Sequence, residues 1–249
     1  MCSARWEDLR PHVTVNLKAY REQRERFCRA ALPLRHRCTT CLQPEFACYC
    51  AWIEKVDLNI DFVILIHPKE VKKRRITTGR MAHLCLENSR LWMGHRFNDD
   101  HRVNALLGDA NRHCVLLYPS ARAANLSIMS ADGLRSFVPS GKRLTVFVVD
   151  GTWSTAKKTV NQSPNLKGLP HFTFEMAAPS AFRVRLQPRL ECLSTIEAIY
   201  QAALALSPAV GLDPAAQLPN RLLSLFSKVV ERELRFAGAR VAQRPEIFG

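Results

Sequence analysis

The feature that most constrains the fold is a short apolar, β-branched run, Thr145-Val146-Phe147-Val148-Val149, that ends abruptly in Asp150-Gly151. Unbroken apolar runs of this length mark strands covered on both faces, the pattern of a parallel sheet between helices. Two more such runs stand earlier in the chain: Phe62-Val63-Ile64-Leu65-Ile66, leading into His67-Pro68, and His113-Cys114-Val115-Leu116-Leu117, leading into Tyr118-Pro119-Ser120. Helix-like segments follow the runs at 62–66 and 145–149, so an α/β fold with helices on a parallel sheet is expected. Open sheets of this kind place ligands at the carboxyl ends of their strands. Asp150 would stand at such an end, with Thr152, Trp153 and Ser154 beside it and Lys157 and Lys158 one helical turn on. Capping of the following helix is the plainer role for the aspartate.

The rest of the chain falls into recognisable stretches. Residues 12–31 read as a basic helix closed by Pro33, with Val13, Leu17, Tyr20 and Phe27 near helical spacing. Cys38, Cys41, Cys48 and Cys50 lie within thirteen residues, and both close pairs suit one tetrahedral ion, so a structural Zn²⁺ with four ligands and no open position is expected. After His67-Pro68 come Lys69-Glu70-Val71-Lys72-Lys73-Arg74-Arg75, a cationic run at a strand end, then a helix from about Met81 to Leu86. Asp132-Gly133 reads as a turn, and His171 to Met176 as an extended stretch. Ser194 or Thr195 caps a helix through Leu206, with Glu197 near capping-box spacing. Pro208 to Pro219 reads as a linker to a last helix with Leu222, Phe226, Val230 and Leu234 on one face, packing on the body or on another subunit. Three units follow: an N-terminal helical and zinc-binding segment (1–56), a central α/β core (57–206), and a linker with a C-terminal helix (207–249).

Charge narrows the function. A formal net charge of +14 over 249 residues exceeds what a pocket for a small acidic metabolite requires and favours a polyanion such as nucleic acid. No stretch approaches the roughly 18 apolar residues of a membrane span, and the amino terminus lacks the apolar core of a secretory signal. A cytoplasmic protein with reduced cysteines is therefore expected. Glycine-rich cradles, a Walker loop, a Gly-x-Ser-x-Gly elbow and His-Glu-x-x-His are all absent from the sequence, so any nucleotide ligand must be held another way.

Five blocks taken in order resemble the DTW-domain family, the tRNA-uridine aminocarboxypropyltransferases. They are the four cysteines; His67-Pro68-Lys69-Glu70 with Thr78-Gly79; Tyr118-Pro119-Ser120; Asp150-Gly151-Thr152-Trp153 with Lys157; and Arg183 ahead of Leu193-Ser194-Thr195-Ile196-Glu197-Ala198. The resemblance covers about residues 38–198, with Gly151 inserted into the family's Asp-Thr-Trp triplet. It implies transfer of the 3-amino-3-carboxypropyl group of S-adenosylmethionine to N3 of a tRNA uridine, with methylthioadenosine released. It also implies a fold related to the knotted SPOUT methyltransferases. Asp150 is then the candidate base, with capping or orienting Trp153 as its alternative role. Leu116, Tyr118, Pro119, Ser120, Thr152, Trp153, Leu193, Ser194, Thr195 and Glu197 are expected around the co-substrate. Trp153 stacks on a base or fills the core, and Glu197 supports a loop rather than touching substrate. Lys72, Lys73, Arg74, Arg75, Lys157 and Arg183 are expected against tRNA phosphates. The chain is a monomer or homodimer. The rival readings are a methyltransferase on the same scaffold, an enzyme acting on ribosomal RNA, and a zinc-stabilised RNA-binding protein without catalysis.

Overall fold

The three apolar runs fold as neighbouring strands at the centre of a computed structural model that describes residues 17–30, 37–73, 76–176, 179–182 and 192–236. In chain order, α1 (Leu17–Ala30) precedes the cysteine loop, and β1 (Asp61–Ile66) is followed by α2 (Pro68–Lys73), α3 (Thr78–Cys85) and β2 (Ser89–Met93). Next come α4 (His101–Leu107), β3 (Arg112–Leu117), β4 (Ala124–Asn125), α5 (Ala131–Arg135) and β5 (Arg143–Asp150). The remainder is α6 (Trp153–Asn161), α7 (Pro164–Lys167), β6 (His171–Thr173), α8 (Thr195–Leu206) and α9 (Asn220–Phe236).

The six strands form one sheet in the order β2-β1-β5-β3-β6-β4, and every pairing is parallel. Parallel strands need covering on both sides, and strand residues point alternately to the two faces. Phe62, Ile64, Val146 and Val148 thus join one apolar layer with Met81 of α3, Ile196 and Ile199 of α8, and Phe226 of α9. Val63, Leu65 and Phe147 face the other way, with Val103 of α4, Val160 of α6 and Leu166 of α7. At the amino-terminal edge, buried Asp61 accepts from Arg112 at 2.5 Å and from Arg143 at 3.0 Å, tying β1, β3 and β5 together. The opposite edge, at the carboxyl ends of the strands, carries Asp150.

The stripe on α9 is buried against α3 and α8 of the same chain, with Leu222, Leu225, Phe226, Val229 and Leu234 enclosed. The expected turn at Asp132-Gly133 lies instead inside α5, because the Ser130 hydroxyl caps that helix by accepting from Gly133 N–H at 3.1 Å. The stretch read as a linker holds two short 3₁₀ turns, Ser207–Val210 and Pro214–Ala216. Gly211 closes the first with φ 68°, a left-handed conformation that glycine adopts without strain. Pro33 and the residues before Leu17 lie outside the described residues. No helix among the described residues is long and apolar enough to cross a membrane.

Candidate active site

Asp150 ends β5, in register with Ile66 at the end of β1, so its carboxylate emerges at the carboxyl edge of the two central strands. It is buried. Its Oδ1 accepts a 2.5 Å hydrogen bond from the Thr195 hydroxyl in the first turn of α8. The Thr195 N–H in turn donates to the Thr78 hydroxyl at the start of α3, at 3.3 Å. A strand end and two helix starts are thereby laced together. Gly79 makes the approach possible: a methyl group there would lie 2.5 Å from Asp150 Oδ2. Asp150 does not cap α6. Thr152 does, its hydroxyl accepting from Thr155 N–H at 3.2 Å.

Trp153 begins α6 and is 49% exposed, so the core-filling role is set aside. Its indole N–H reaches Cys192 Sγ at 2.9 Å, which holds the ring at the rim between α6 and the approach to α8. Lys157 and Lys158 are exposed on the same helix.

Ser194 is the N-cap of α8, and Glu197 reaches back to accept from its N–H at 2.8 Å. The same carboxylate accepts from the hydroxyls of Ser194 and Ser180, at 2.6 and 2.7 Å, and from Ala181 N–H at 2.7 Å. Four donors satisfy one buried carboxylate, an arrangement that pins the 180–181 segment to the start of α8. Glu197 is a loop organiser with its oxygens turned inward.

On the other side of β5, Tyr118 and Ser120 follow β3. Ser120 Oγ lies 2.8 Å from His171 Nδ1, and Arg122 donates to His171 Nε2 at 3.3 Å. The backbone carbonyls of Leu166 and Lys167 also bond this ring. Burial and the Arg122 charge hold His171 below the ordinary imidazole range. Pro119 is exposed and Leu193 half-buried, whereas Leu116 lies fully buried beneath this edge with Val63 and Leu65.

Thr195, Asp150, Thr78 and Gly79 are therefore brought together, with Trp153 at the rim. Lys72 and Lys73 belong to α2, while Arg74, Arg75 and Arg183 lie outside the described residues. Sequence reasoning passed over His95, which meets His67 across 28 residues of chain, and Ser180, His171 and Cys192. Only His67 carried a local signal, its position directly after a strand.

The four cysteines form a separate centre beneath α9. Their sulfurs all lie within 4.8 Å of one another, with Cys38 and Cys50 at 3.5 Å and Cys41 and Cys48 at 3.7 Å. Ligands about 2.3 Å from a tetrahedral ion stand about 3.8 Å apart, so this set can hold one metal ion. Leu42, at φ 59°, folds the loop back so that Cys38 N–H meets Gln43 C=O at 2.9 Å. Arg232 of α9 donates to the Cys48 carbonyl at 3.1 Å and stacks over Trp52, 5.1 Å from its ring centre.

The model of the DTW domain matches residues 35–234, spanning the cysteine centre, the sheet and α9. The chain belongs to the DTW domain family. Among curated proteins, it is 32% identical over 180 residues to tRNA-uridine aminocarboxypropyltransferase 2 of Drosophila melanogaster, covering 69% of this chain and 67% of that protein. The proteins of that name from Macaca fascicularis and Mus musculus are 30% and 29% identical, over 70% and 71% of this chain. The matched region spans 56% and 59% of those two proteins, somewhat more than half of their length. No solved structure matches the chain. Within this DTW domain, the Asp-Gly-Thr-Trp block supplies the buried carboxylate, the helix cap and the exposed indole in turn.

Proposed function

We propose that the protein is a tRNA-uridine aminocarboxypropyltransferase that moves the 3-amino-3-carboxypropyl group of S-adenosylmethionine onto N3 of a uridine and releases methylthioadenosine. The observation that carries this reading is the buried carboxylate of Asp150 at the central strand end, held by Thr195 and closed over by Gly79. The names of the relatives and the net charge of +14 support an RNA substrate. Tyr118, Ser120 and the start of α8 would wall the sulfonium co-substrate, Trp153 would stack at the rim, and Asp150 would take the N3 proton. Lys157, with Lys72, Lys73, Arg74, Arg75 and Arg183, would face tRNA phosphates, consistent with a cytoplasmic site of action. The sulfonium has three electrophilic carbons, so orientation decides which group leaves.

The same reading includes Zn²⁺ in the four-cysteine centre, closed and structural, and a SPOUT-like threaded sheet within residues 57–206. The insertion of β5 between β1 and β3, and of β6 between β3 and β4, supports the latter. The test is incubation with unmodified tRNA and S-adenosylmethionine labelled either in the carboxyl carbon or in the methyl. Carboxyl label in RNA, with methylthioadenosine released, is expected. Methyl label in RNA with S-adenosylhomocysteine would replace the chemistry with methylation.

A further inference from the structure

A second pair of side chains stands on the β1–β2 side of Asp150, away from Tyr118 and Ser120. His67 follows β1, is buried, and its backbone N–H faces the Asp150 carbonyl at 3.4 Å. Its ring meets that of His95 edge to face, with centroids 4.7 Å apart and His67 Nε2 3.1 Å from His95 Nδ1. The protons here have one consistent placement. Lys69 N–H donates to His67 Nδ1 at 3.1 Å, so in the neutral ring the proton sits on Nε2. That proton is directed at His95 Nδ1, which must accept. Neutral His95 therefore carries its own proton on Nε2. Burial first, then the neighbouring ring and Lys69, keep His67 below the ordinary imidazole range, so the neutral form prevails near pH 7.

His95 is exposed, and its Nε2–H is presented to whatever occupies this edge. Lys69, Arg96 and Lys158 are exposed cations nearby in the chain or in space, and both Lys158 and the buried Glu70 carboxylate are close enough to act on His67. Met93 ends β2 beside Ile66 and is 57% exposed, so an apolar side chain also borders this edge. A fixed N–H donor, cations and an apolar platform suit the oxygen-bearing edge of a planar base that gains negative charge.

We infer that His95 is a further substrate-binding residue, whose Nε2–H, held in place by His67, donates to a carbonyl oxygen of the target pyrimidine and acidifies the adjacent imide N–H. This rests on the transfer reading above and supplies what that reading lacks, since an ordinary aspartate is too weak a base for an unassisted uridine. In the step itself the N3–H bond breaks, its proton passes to Asp150, and the electron pair spreads over N3 and both carbonyl oxygens. N3 then bonds to the side-chain carbon of the sulfonium. The C–S bond breaks and its pair stays on sulfur as a neutral thioether. His95 cannot be the base in this tautomer, because Nδ1 is committed to His67 and Nε2 to its own hydrogen.

The test combines His95→Phe and His95→Gln with tRNA transcripts carrying uridine or 5-fluorouridine, whose N3–H is already more acidic. His95→Phe is expected to lower kcat/KM on uridine tRNA by about 10²-fold, as for loss of one oxyanion donor, with melting temperature and S-adenosylmethionine binding unchanged. His95→Gln keeps an N–H near the Nε2 position and should recover activity to within about 10-fold, and 5-fluorouridine should shrink the phenylalanine deficit similarly. Equal deficits on both RNAs would overturn the acidifying role. Imidazole ¹⁵N shifts of the full chain provide a readout free of turnover: His95 protonated on Nδ1 would overturn the relay. If the wild-type protein transfers nothing to tRNA, the transfer reading falls and the substrate role with it, while the ¹⁵N shifts still decide the tautomer.

Discussion

Replacing Gly79 by alanine puts a methyl group where Asp150 already stands. The new carbon would lie 2.5 Å from Oδ2, 2.8 Å from Cγ and 3.1 Å from Ile64 Cγ2. Relief to an ordinary contact of 3.4 Å asks the carboxylate to retreat by 0.9 Å, the difference between 3.4 and 2.5. That retreat pulls Oδ1 from the Thr195 hydroxyl. Overpacking of this kind costs about 2 kcal/mol, while alanine in a helix is better than glycine by up to about 1 kcal/mol. The net loss is then about 1 kcal/mol, or roughly 3 °C in melting temperature for a chain of this size. Misplacement of a reacting group by about 1 Å costs on the order of 10²-fold in rate, so activity should fall far more than stability. The background decides the matter. In Asp150→Ala the carboxylate is gone and only the 3.1 Å approach to Ile64 Cγ2 remains, so Gly79→Ala should no longer lower the melting temperature. Thermal melts of the four proteins, with carboxyl-label transfer for the two that keep Asp150, make the comparison. The same small shift in both backgrounds, or wild-type turnover in Gly79→Ala, would refute the close approach as the cause.

Asp150→Ala alone should keep the fold and S-adenosylmethionine binding while abolishing transfer to tRNA; near-normal turnover would remove the carboxylate from the mechanism. Stripping the metal with a chelator, or Cys41→Ser, should cost on the order of 5 kcal/mol in urea unfolding, and an unchanged midpoint would deny the cysteine centre a structural role. Lys157→Ala should lower the slope of log K against log salt for tRNA by about 1; an unchanged slope would place that cation away from phosphate. Burial pushes His67, His83, His113 and His171 down from the ordinary imidazole value. The unfolded chain therefore binds more protons than the folded one just below about pH 6.5, and stability should be full above that value and fall as pH drops toward the folded-state pKa values. Melting temperatures that stay flat from pH 7 to pH 5 would contradict those buried, neutral rings.

Much of the architecture was legible because strands covered on both faces announce themselves: β1, β3 and β5 are the three apolar runs. The edge strand β2, Ser89-Arg90-Leu91-Trp92-Met93, is half-exposed and carries no such run, so it stayed hidden. The helix α4 was passed over although Asp100, accepting from Arg102 and Val103 N–H, is a readable cap. At the site, Asp150 and Thr195 each stood out locally, but the bond between them spans 45 residues and depends on where α8 lands. Periodicity holds no such information. The pairing of His67 with His95 is hidden for the same reason, since it needs β2 to lie beside β1.

The bond from Arg232 to the Cys48 carbonyl, beside its stacking on Trp52, has a bearing on how the molecule is made. On the ribosome, the cysteine loop emerges early and its clamp arrives some 180 residues later, the two atoms being 184 positions apart. Until then, Phe226 and its neighbours are missing from the face of α3 and α8 that positions Thr78 and Thr195. A nascent chain halted before residue 220 would display that greasy face to chaperones and proteases. The helix α9 thus joins the cysteine loop to a part of the domain made 184 positions later.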